Sequence, residues 1–253
     1  MNTVVNLGGE YTKFCRVQNQ LAASGYGDPN KYIIQPKTLR LEQLLSTQRE
    51  QYEFNLYETP DAGRPQEIKL SRNDMFAISK IGIGVYKQNT ANDPAEYANT
   101  PIWTYPDTNF FTGSVGGTGM QEALCLYLVW RGKLSLFTDP VQRIKDFSTM
   151  HCEYIPERPY TEAAFVGYTN EVFPQWGPTD AERGFYELGP MPVLYGQQKN
   201  RITLTLGNGN KTAIDGAVDS AGDAVDTRNV LCVFLQGFNV ENAAEAAGLW
   251  GTL

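Results

Sequence analysis

The chain contains a single histidine, His151, among 253 residues, which excludes the multi-imidazole metal sites of proteins such as cupins. A Ser-His-Asp or Cys-His nucleophile system would have to use this same residue. We read His151 and Cys152 as neighbours on a strand, where successive side chains point to opposite faces and do not act on one another. We therefore expect a structural histidine and a protein that is not an enzyme.

Basic residues are also few. The chain has 21 Lys and Arg against 28 Asp and Glu, which gives a formal charge of -7 and a pI near 4.9. Binding to a nucleic-acid backbone needs clustered Lys and Arg. Direct sequence-specific contact with nucleic acid is therefore not expected.

Long apolar runs are missing as well. None approaches the ~18 residues of a membrane helix. The N-terminal residues lack the apolar region behind a basic start that marks a secretory signal. We expect neither a membrane span nor secretion.

Cysteine is sparse and shows no CxxC spacing, since the four residues are Cys15, Cys125, Cys152 and Cys232. Two of them, Cys125 and Cys232, lie inside the most apolar stretches of the chain. The pattern predicts buried free thiols in a reducing compartment, in preference to a disulfide framework or a zinc site.

The residues that are present indicate an ordered, turn-rich β protein, with 24 Gly, 14 Pro and 42% hydrophobic residues. Two apolar stretches stand out, LCLYLVWRGKLSLF over 124–137 and LCVFLQGFNV over 231–240. Each reads as a buried strand, a Gly-containing turn and a further apolar segment. We take them as corresponding strands of one fold used twice.

Weaker patterns complete the secondary-structure prediction. Residues 10–21 predict a short amphipathic helix and 141–150 another short helix, whereas 39–45 is ambiguous between strand and helix. Gly82 and Gly84 share one face of a predicted strand, which indicates close packing by a neighbouring element. Further predicted strands are 52–56, 68–70, 75–86, 164–168, 185–188 and 200–206.

Segments 68–86 and 185–206 also resemble one another, and each precedes a long polar loop and then one of the two apolar stretches. A duplication would explain this, although short apolar strands resemble one another by chance in any β protein. The duplication predicts an all-β fold of two tandem eight-stranded jelly-roll sandwiches with short accessory helices.

The predicted domain boundary follows from a stiff, proline-containing linker at 156–159. Residues 1–155 would form an N-terminal jelly roll with the N-terminal helix and a long loop at 87–121. Residues 156–253 would form a C-terminal jelly roll with a loop at 207–228 and a C-terminal tail.

The loop at 87–121 carries four aromatic residues, which are either local packing or an exposed interaction surface: Trp103, Tyr105, Phe110 and Phe111. It also contains the glycine-rich run 113–119. This run matches neither a P-loop nor a nucleophile elbow, and we expect a strand after it, so that no helix N-terminus would receive an anion.

An acidic cluster, Asp215, Asp219, Asp223 and Asp226, provides the only metal candidates, and they are weak ones. The spacings of four, four and three residues do not match an EF-hand loop. A solvated loop is the preferred interpretation, with a calcium or inter-subunit site as the alternative. We otherwise expect no cofactor.

Four segments carry a resemblance to a known family: LCLYLVWRGKLSLF, LCVFLQGFNV, 68–86 and 185–206. Their layout resembles that of the double jelly-roll major capsid proteins of tailless icosahedral, membrane-containing bacteriophages. The resemblance implies a structural protein whose homotrimers are pseudo-hexagonal capsomers that tile an icosahedral shell. Its partners would be neighbouring capsomers, other virion proteins and an internal membrane, and its location would be the virion, assembled in the host cytoplasm. The loops 87–121 and 207–228 would face outward or contact other subunits, and the N-terminal segment would face inward.

Two alternatives stay open. One is an accessory or decoration virion protein with the same fold. The other is a carbohydrate-binding β-sandwich or glycosidase, since exposed aromatic rings can hold sugars and the chain carries Trp103, Tyr105, Trp176 and Trp250.

Overall fold

A computed structural model of the chain describes residues 8–23, 32–57, 67–89, 101–108, 110–115, 121–155, 184–219 and 221–243. These residues form two helices and nine strands in two antiparallel sheets. Neither of the described helices is long and apolar enough to cross a membrane. In chain order the elements are α1 Gly8–Ala23, β1 Ile34–Leu44, β2 Gln51–Asn55, β3 Met75–Asn89, α2 Gln121–Trp130, β4 Lys133–Thr138, β5 Val141–Ser148, a 3-10 helix Thr149–Cys152, β6 Phe185–Glu187, β7 Val193–Tyr195, β8 Asn200–Thr205 and β9 Thr227–Val240.

The strand order identifies the topology of the described sandwich. The first sheet, sheet A, has the order β1-β9-β3-β6, with β7 also paired to β3, and the second sheet, sheet B, has the order β2-β8-β4-β5. With β7 set aside, the pairs β1–β9, β2–β8, β3–β6 and β4–β5 are those of a long hairpin rolled into two sheets. That arrangement is an eight-stranded jelly roll. The all-β prediction is thus confirmed.

The described strands build one jelly roll, however, and not two in tandem. Strands from 1–155 and from 156–253 alternate, because β9 lies between β1 and β3 while β8 lies between β2 and β4. One hydrophobic core draws side chains from both halves. The proposed boundary at 155/156 therefore does not separate two sandwiches among the described strands, and the linker at 156–159 lies outside the described residues.

The apolar stretch Leu124 to Trp130 is helical, and its prediction as a strand is wrong. It belongs to α2, which is buried on nearly all sides, with Leu124 exposed at 60%. A helix buried on nearly all sides has the same unbroken apolar sequence as a buried strand, so periodicity does not distinguish them. The other stretch, 231–240, is a strand as predicted and lies in β9. The two stretches are not equivalent, and the duplication loses its main support.

Most of the weaker predictions are confirmed, including α1, β2, β3, β6 and β8, and the ambiguous segment 39–45 falls largely in β1. The helix expected at 141–150 is wrong, because β5 occupies most of that range and pairs with β4. His151 lies in the 3-10 helix instead of a strand. Segment 68–70 makes only isolated bridges, and 164–168 lies outside the described residues.

The outer face of sheet A is closely covered at the middle of β3. Residues Ile81, Ile83 and Val85 of β3 face the core, and the alternate residues Gly82 and Gly84 face outward. A Cβ on Gly82 would lie 2.6 Å from the Phe185 ring, and one on Gly84 would lie 2.5 Å from Ile102. The close packing predicted from these glycines is thus confirmed.

Helix α1 covers another part of the outer face of sheet A. Its residues Phe14 and Val17 pack with Met75, Ala77 and Phe238 in a second hydrophobic cluster. An ion pair of 2.9 Å between Lys13 and Glu187 ties the helix to β6. The helix therefore docks through an apolar stripe that is flanked by a charge pair.

Replacing Gly237 by alanine tests the packing of β9 between its neighbours. A Cβ at Gly237 would overlap the carbonyl oxygen of Ala77, and backbone on a paired strand cannot move aside as a side chain can. We expect Gly237→Ala to lower the free energy of unfolding in urea by about 3 kcal/mol. Gly189→Ala is the control, because no atom outside its immediate chain neighbours lies within 4 Å of a Cβ there. Equal stability of the two variants would contradict the described register.

Candidate functional site

The four aromatic residues of the loop 87–121 form a packed cluster and not an exposed surface. Trp103 is 4% exposed, Tyr105 and Phe111 are buried, and Phe110 is partly buried against the core. The Trp103 ring centroid lies 5.0 Å from that of Phe110 and 5.6 Å from that of Tyr105. Their role in this chain is packing, which was one of the two interpretations left open by the sequence.

A short turn holds these rings in position. The Tyr105 hydroxyl donates to Asp107 Oδ2 at 2.6 Å. The carbonyl oxygen of Asp107 accepts the backbone N–H groups of Phe110 and Phe111 at 3.2 and 2.8 Å. On the other side, Trp103 makes a two-bond antiparallel bridge with Val85. The segment is therefore attached to sheet A by its backbone as well as by its rings.

A buried carboxylate, Glu122, joins four segments at one end of the sandwich. Its Oε2 accepts from Lys87 Nζ at 2.9 Å and from the Gly113 N–H at 2.7 Å, and its Oε1 accepts from Asn229 Nδ2 at 2.8 Å. The glutamate belongs to α2, the lysine to β3 and the asparagine to β9. Burying this charge is tolerated because each oxygen has a donor.

The same carboxylate binds the first residue of the glycine-rich run 113–119. The expectation that a strand follows this run is wrong, because α2 begins at Gln121. The backbone N–H of Gly113 nevertheless donates to Glu122 in the first turn of that helix. A negative charge from the protein itself thus lies near the helix N-terminus, where such charge is favourable. Residues 116–120 lie outside the described part of the chain.

The acidic residues of the loop 207–228 do not converge. Asp219 Oδ1 accepts the N–H groups of Ala221 and Asp223, both at 2.9 Å, and closes a local turn. Asp215 Oδ1 accepts from Ala217 at 3.3 Å, while Asp223 and Asp226 are exposed. Within the described residues, no group of three or more His, Cys, Asp or Glu could hold a metal ion.

Sequence reasoning missed a second buried carboxylate, Glu42, on the outer face of sheet A. It accepts from Arg40 through Nε at 2.6 Å and Nη2 at 2.5 Å, and from the Tyr86 hydroxyl at 2.7 Å. Cys232 Sγ lies 3.8 Å from the same carboxylate. The sequence left 39–45 ambiguous between strand and helix, and no local signal shows that the face of β1 carrying Glu42 is covered.

His151 lies at the side of the sandwich where β5 and β6 are the edge strands of the two sheets. The neighbours that anchor it are buried: Thr149 Oγ1 donates to the Val129 carbonyl at 2.7 Å, and Cys152 Sγ donates to the Ile81 carbonyl at 3.5 Å. The two residues between these anchors, Met150 and His151, are exposed. The 3-10 helix therefore presents its middle to solvent.

Three rings meet there, and we name Phe147, His151 and Tyr186 the edge cluster. The centroid distances are 5.6 Å for Phe147–His151 and 5.0 Å for both Phe147–Tyr186 and His151–Tyr186. Phe147 comes from sheet B and Tyr186 from sheet A, so the cluster spans the gap between the two sheets. From the sequence we expected His151 to be a structural histidine, and nothing linked it to Tyr186.

All four cysteines are free thiols, as predicted. Cys125, Cys152 and Cys232 are buried, and Cys15 is partly exposed. Burial raises the pKa of Cys152 to about 12 and also raises the pKa of Cys125. A raised pKa keeps a thiol protonated at neutral pH, and a protonated thiol is a poor nucleophile. The geometry gives these thiols a packing role.

A comparison of the chain with protein-family models, with curated proteins and with solved structures finds no match.

The buried Glu122 makes a testable contribution to stability. Glu122→Gln would leave the Lys87 ammonium without its counter-ion, and breaking a buried pair typically costs about 3 kcal/mol or more. Urea unfolding followed by tryptophan fluorescence measures the loss. The control is Glu50→Gln, since Glu50 pairs with Lys211 at the same 2.9 Å but is 79% exposed, and its midpoint should not change. A similar effect of both variants would contradict a buried network.

Alkylation of the folded protein tests the thiols. With a pKa of about 12, Cys152 at pH 8 should hold roughly a thousandfold less thiolate than an ordinary cysteine. We expect iodoacetamide to modify Cys15 within minutes and to leave Cys152 unmodified, as read by peptide mass spectrometry. In urea all four cysteines should react. Rapid modification of Cys152 in the folded state would show that it is not buried.

Proposed function

We propose that this chain is a structural virion protein, a coat subunit that assembles with many copies of itself into a closed icosahedral shell. The observation that carries the proposal is the strand order of the two sheets, β1-β9-β3-β6 and β2-β8-β4-β5. The jelly roll serves mainly virus coats, lectins and cupins. The choice among these three classes depends on the side chains.

The side chains favour the coat over the other two classes. A cupin holds its metal with several histidines, and the sequence contains one. A sugar-binding sandwich needs exposed aromatic rings, but Trp103 and Tyr105, which motivated that alternative, are buried. The other two, Trp176 and Trp250, lie outside the described residues. No described contact favours carbohydrate binding as a second candidate.

The number of sandwiches changes the form of the assembly. A pseudo-hexagonal trimer needs two sandwiches in each subunit, and the described strands of this chain build one. We therefore take the homotrimer as a unit of three jelly rolls, and a hexagonal outline would need six chains. Oligomers of this kind close through repeated copies of the same contacts.

The remaining parts of the proposal follow from the coat role. The partners are neighbouring copies of the chain, other virion proteins and an internal membrane, and the protein reaches the virion after assembly in the host cytoplasm. It carries out no catalysis. Both loops expected to face outward have exposed residues, such as Val115 in 87–121 and Asn208 to Asn210 in 207–228.

Electron microscopy and light scattering of the purified protein test the coat role. We expect discrete rings or closed shells, with a mass that rises in steps of whole subunits as the protein concentration increases. An accessory virion protein of the same fold would instead form one small oligomer that never closes into a shell. A monomer at every concentration, with no ordered particles, would overturn the proposal.

A further inference from the structure

Lys87 and Asn229 lie directly opposite one another on two neighbouring strands of sheet A. The register of β3 and β9 pairs the two residues, and cross-strand partners have Cβ atoms about 5 Å apart. Val85 and Leu231, two positions along the same strands, belong to the hydrophobic core. Residues two apart on a strand share a face. An amine and a carboxamide are thus held side by side on the core-facing side of the sheet.

The carboxylate of Glu122 contacts both of these groups. Its Oε2 lies 2.9 Å from Lys87 Nζ, and its Oε1 lies 2.8 Å from Asn229 Nδ2. The orientation of the amide is fixed, because Nδ2 also donates to the Ile214 carbonyl at 3.1 Å. The amide oxygen of Asn229 is buried and has no hydrogen-bond partner among the described residues. One carboxylate therefore lies between a nucleophile and the nitrogen of an amide.

The surroundings of these three side chains are largely closed to water. Glu122 and Asn229 are fully buried, and the side chain of Lys87 is 20% exposed. The rings of Phe111 and Phe110 have their centroids 5.7 and 6.0 Å from Lys87 Nζ. A proton that passes from Nζ to the carboxylate turns a buried charge pair into two neutral groups. The amine that results is a nucleophile, as in other lysines with an adjacent base.

The geometry points to an intramolecular isopeptide bond between Lys87 and Asn229, formed with Glu122 as the proton carrier. The bond from Lys87 Nζ to Asn229 Cγ forms, and the bond from Cγ to Nδ2 breaks, so that the amide nitrogen leaves as ammonia. Nothing is oxidised or reduced, and no other reactant is needed. The reaction happens once in each chain, so it is a self-modification and not enzymatic turnover.

The protons balance through the same carboxylate. Nζ begins with three hydrogens as an ammonium group, and the first passes to Glu122 Oε2 before Nζ attacks. The second is carried to Nδ2, which Oε1 already contacts, and the third stays on the new amide. Nδ2 then leaves with three hydrogens, and it takes the proton left on Glu122 away as ammonium. The carboxylate is regenerated.

The bond would fasten the two strands that organise the sandwich. It would join β3 to β9 near the end of their pairing, since Lys87 lies two residues before the end of β3 and Asn229 two residues after the start of β9. The bond forms within one chain, so its presence does not depend on assembly. A protein that carries the bond but forms no shell would reject the coat and keep this inference.

Mass spectrometry of the unaltered protein tests the bond directly. The intact chain should be lighter than its sequence mass by one ammonia. After trypsin, peptides 81–131 and 229–253 should appear as one branched species, because trypsin does not cut at a linked lysine. A succinimide at Asn208, which precedes a glycine, would also lose ammonia but would make peptide 202–211 lighter instead. Unlinked peptides from folded protein that has been kept for several days would overturn the inference.

A matched pair of variants locates the nucleophile. Lys87→Arg keeps a positive charge beside Glu122 but removes the amine, so its mass should equal the sequence mass of the variant. Lys211→Arg is the control, because Lys211 forms an ion pair of the same 2.9 Å with the exposed Glu50 and should keep the loss of ammonia. Circular dichroism confirms that both variants fold. A branched peptide from Lys87→Arg would overturn the inference.

Glu122→Gln tests the proton carrier while both reacting groups stay in place. Positioned acids and bases typically accelerate a reaction by roughly a hundredfold or more. The branched peptide should therefore accumulate at least about a hundredfold more slowly in this variant than in freshly prepared unaltered protein. An equal rate would show that Glu122 does not carry the proton. If the variant does not fold, the unaltered protein and Lys87→Arg still decide whether the bond exists.

Discussion

The pairing of β9 with both β1 and β3 is the constraint on which the rest of the sandwich depends. β9 faces β3 from Thr227 to Val240 and faces β1 from Val230 to Val240. It thereby inserts a late segment of the chain between two early ones. β8 lies in the equivalent position between β2 and β4, and the two sheets enclose one core.

The fit between β3 and β9 requires one local irregularity. β3 has 15 residues and β9 has 14, and the extra residue is Ser79, where the register shifts. Ser79 Oγ donates to the Gln236 carbonyl at 3.1 Å, and its own carbonyl accepts the Leu188 N–H at 2.8 Å. The bulge lies between the part of β3 that pairs with β7 and the part that pairs with β6. The bulge therefore allows the long strand β3 to pair with two short strands, β7 and β6.

The surroundings of the core differ from side to side. Helix α1 covers part of the outer face of sheet A, the Glu122 network fastens one end, and the edge cluster spans the gap between β5 and β6. The first two are closed within the chain by apolar packing and by a satisfied buried charge. The edge cluster leaves its rings partly exposed.

The sequence by itself determined the elements whose pattern is local. Alternation identified β2, β3 and β8, and the amphipathic period identified α1. The two glycines in β3 predicted a closely packed neighbour, which the structure identifies as Phe185 and Ile102. The all-β class and the buried thiols followed from composition and spacing. Alternation and turn residues are properties of neighbours in the chain, so they can be read without knowing the fold.

Only the tertiary structure decided the character of α2, the number of sandwiches and the make-up of the site. A run buried on all sides has no polar face, so Leu124 to Trp130 reads equally as helix or strand. Strand order depends on pairings between residues far apart in sequence, as between Ile34 and Val240, and no local pattern encodes them. For the same reason Phe147, His151 and Tyr186 become one surface only when the edges of the two sheets meet.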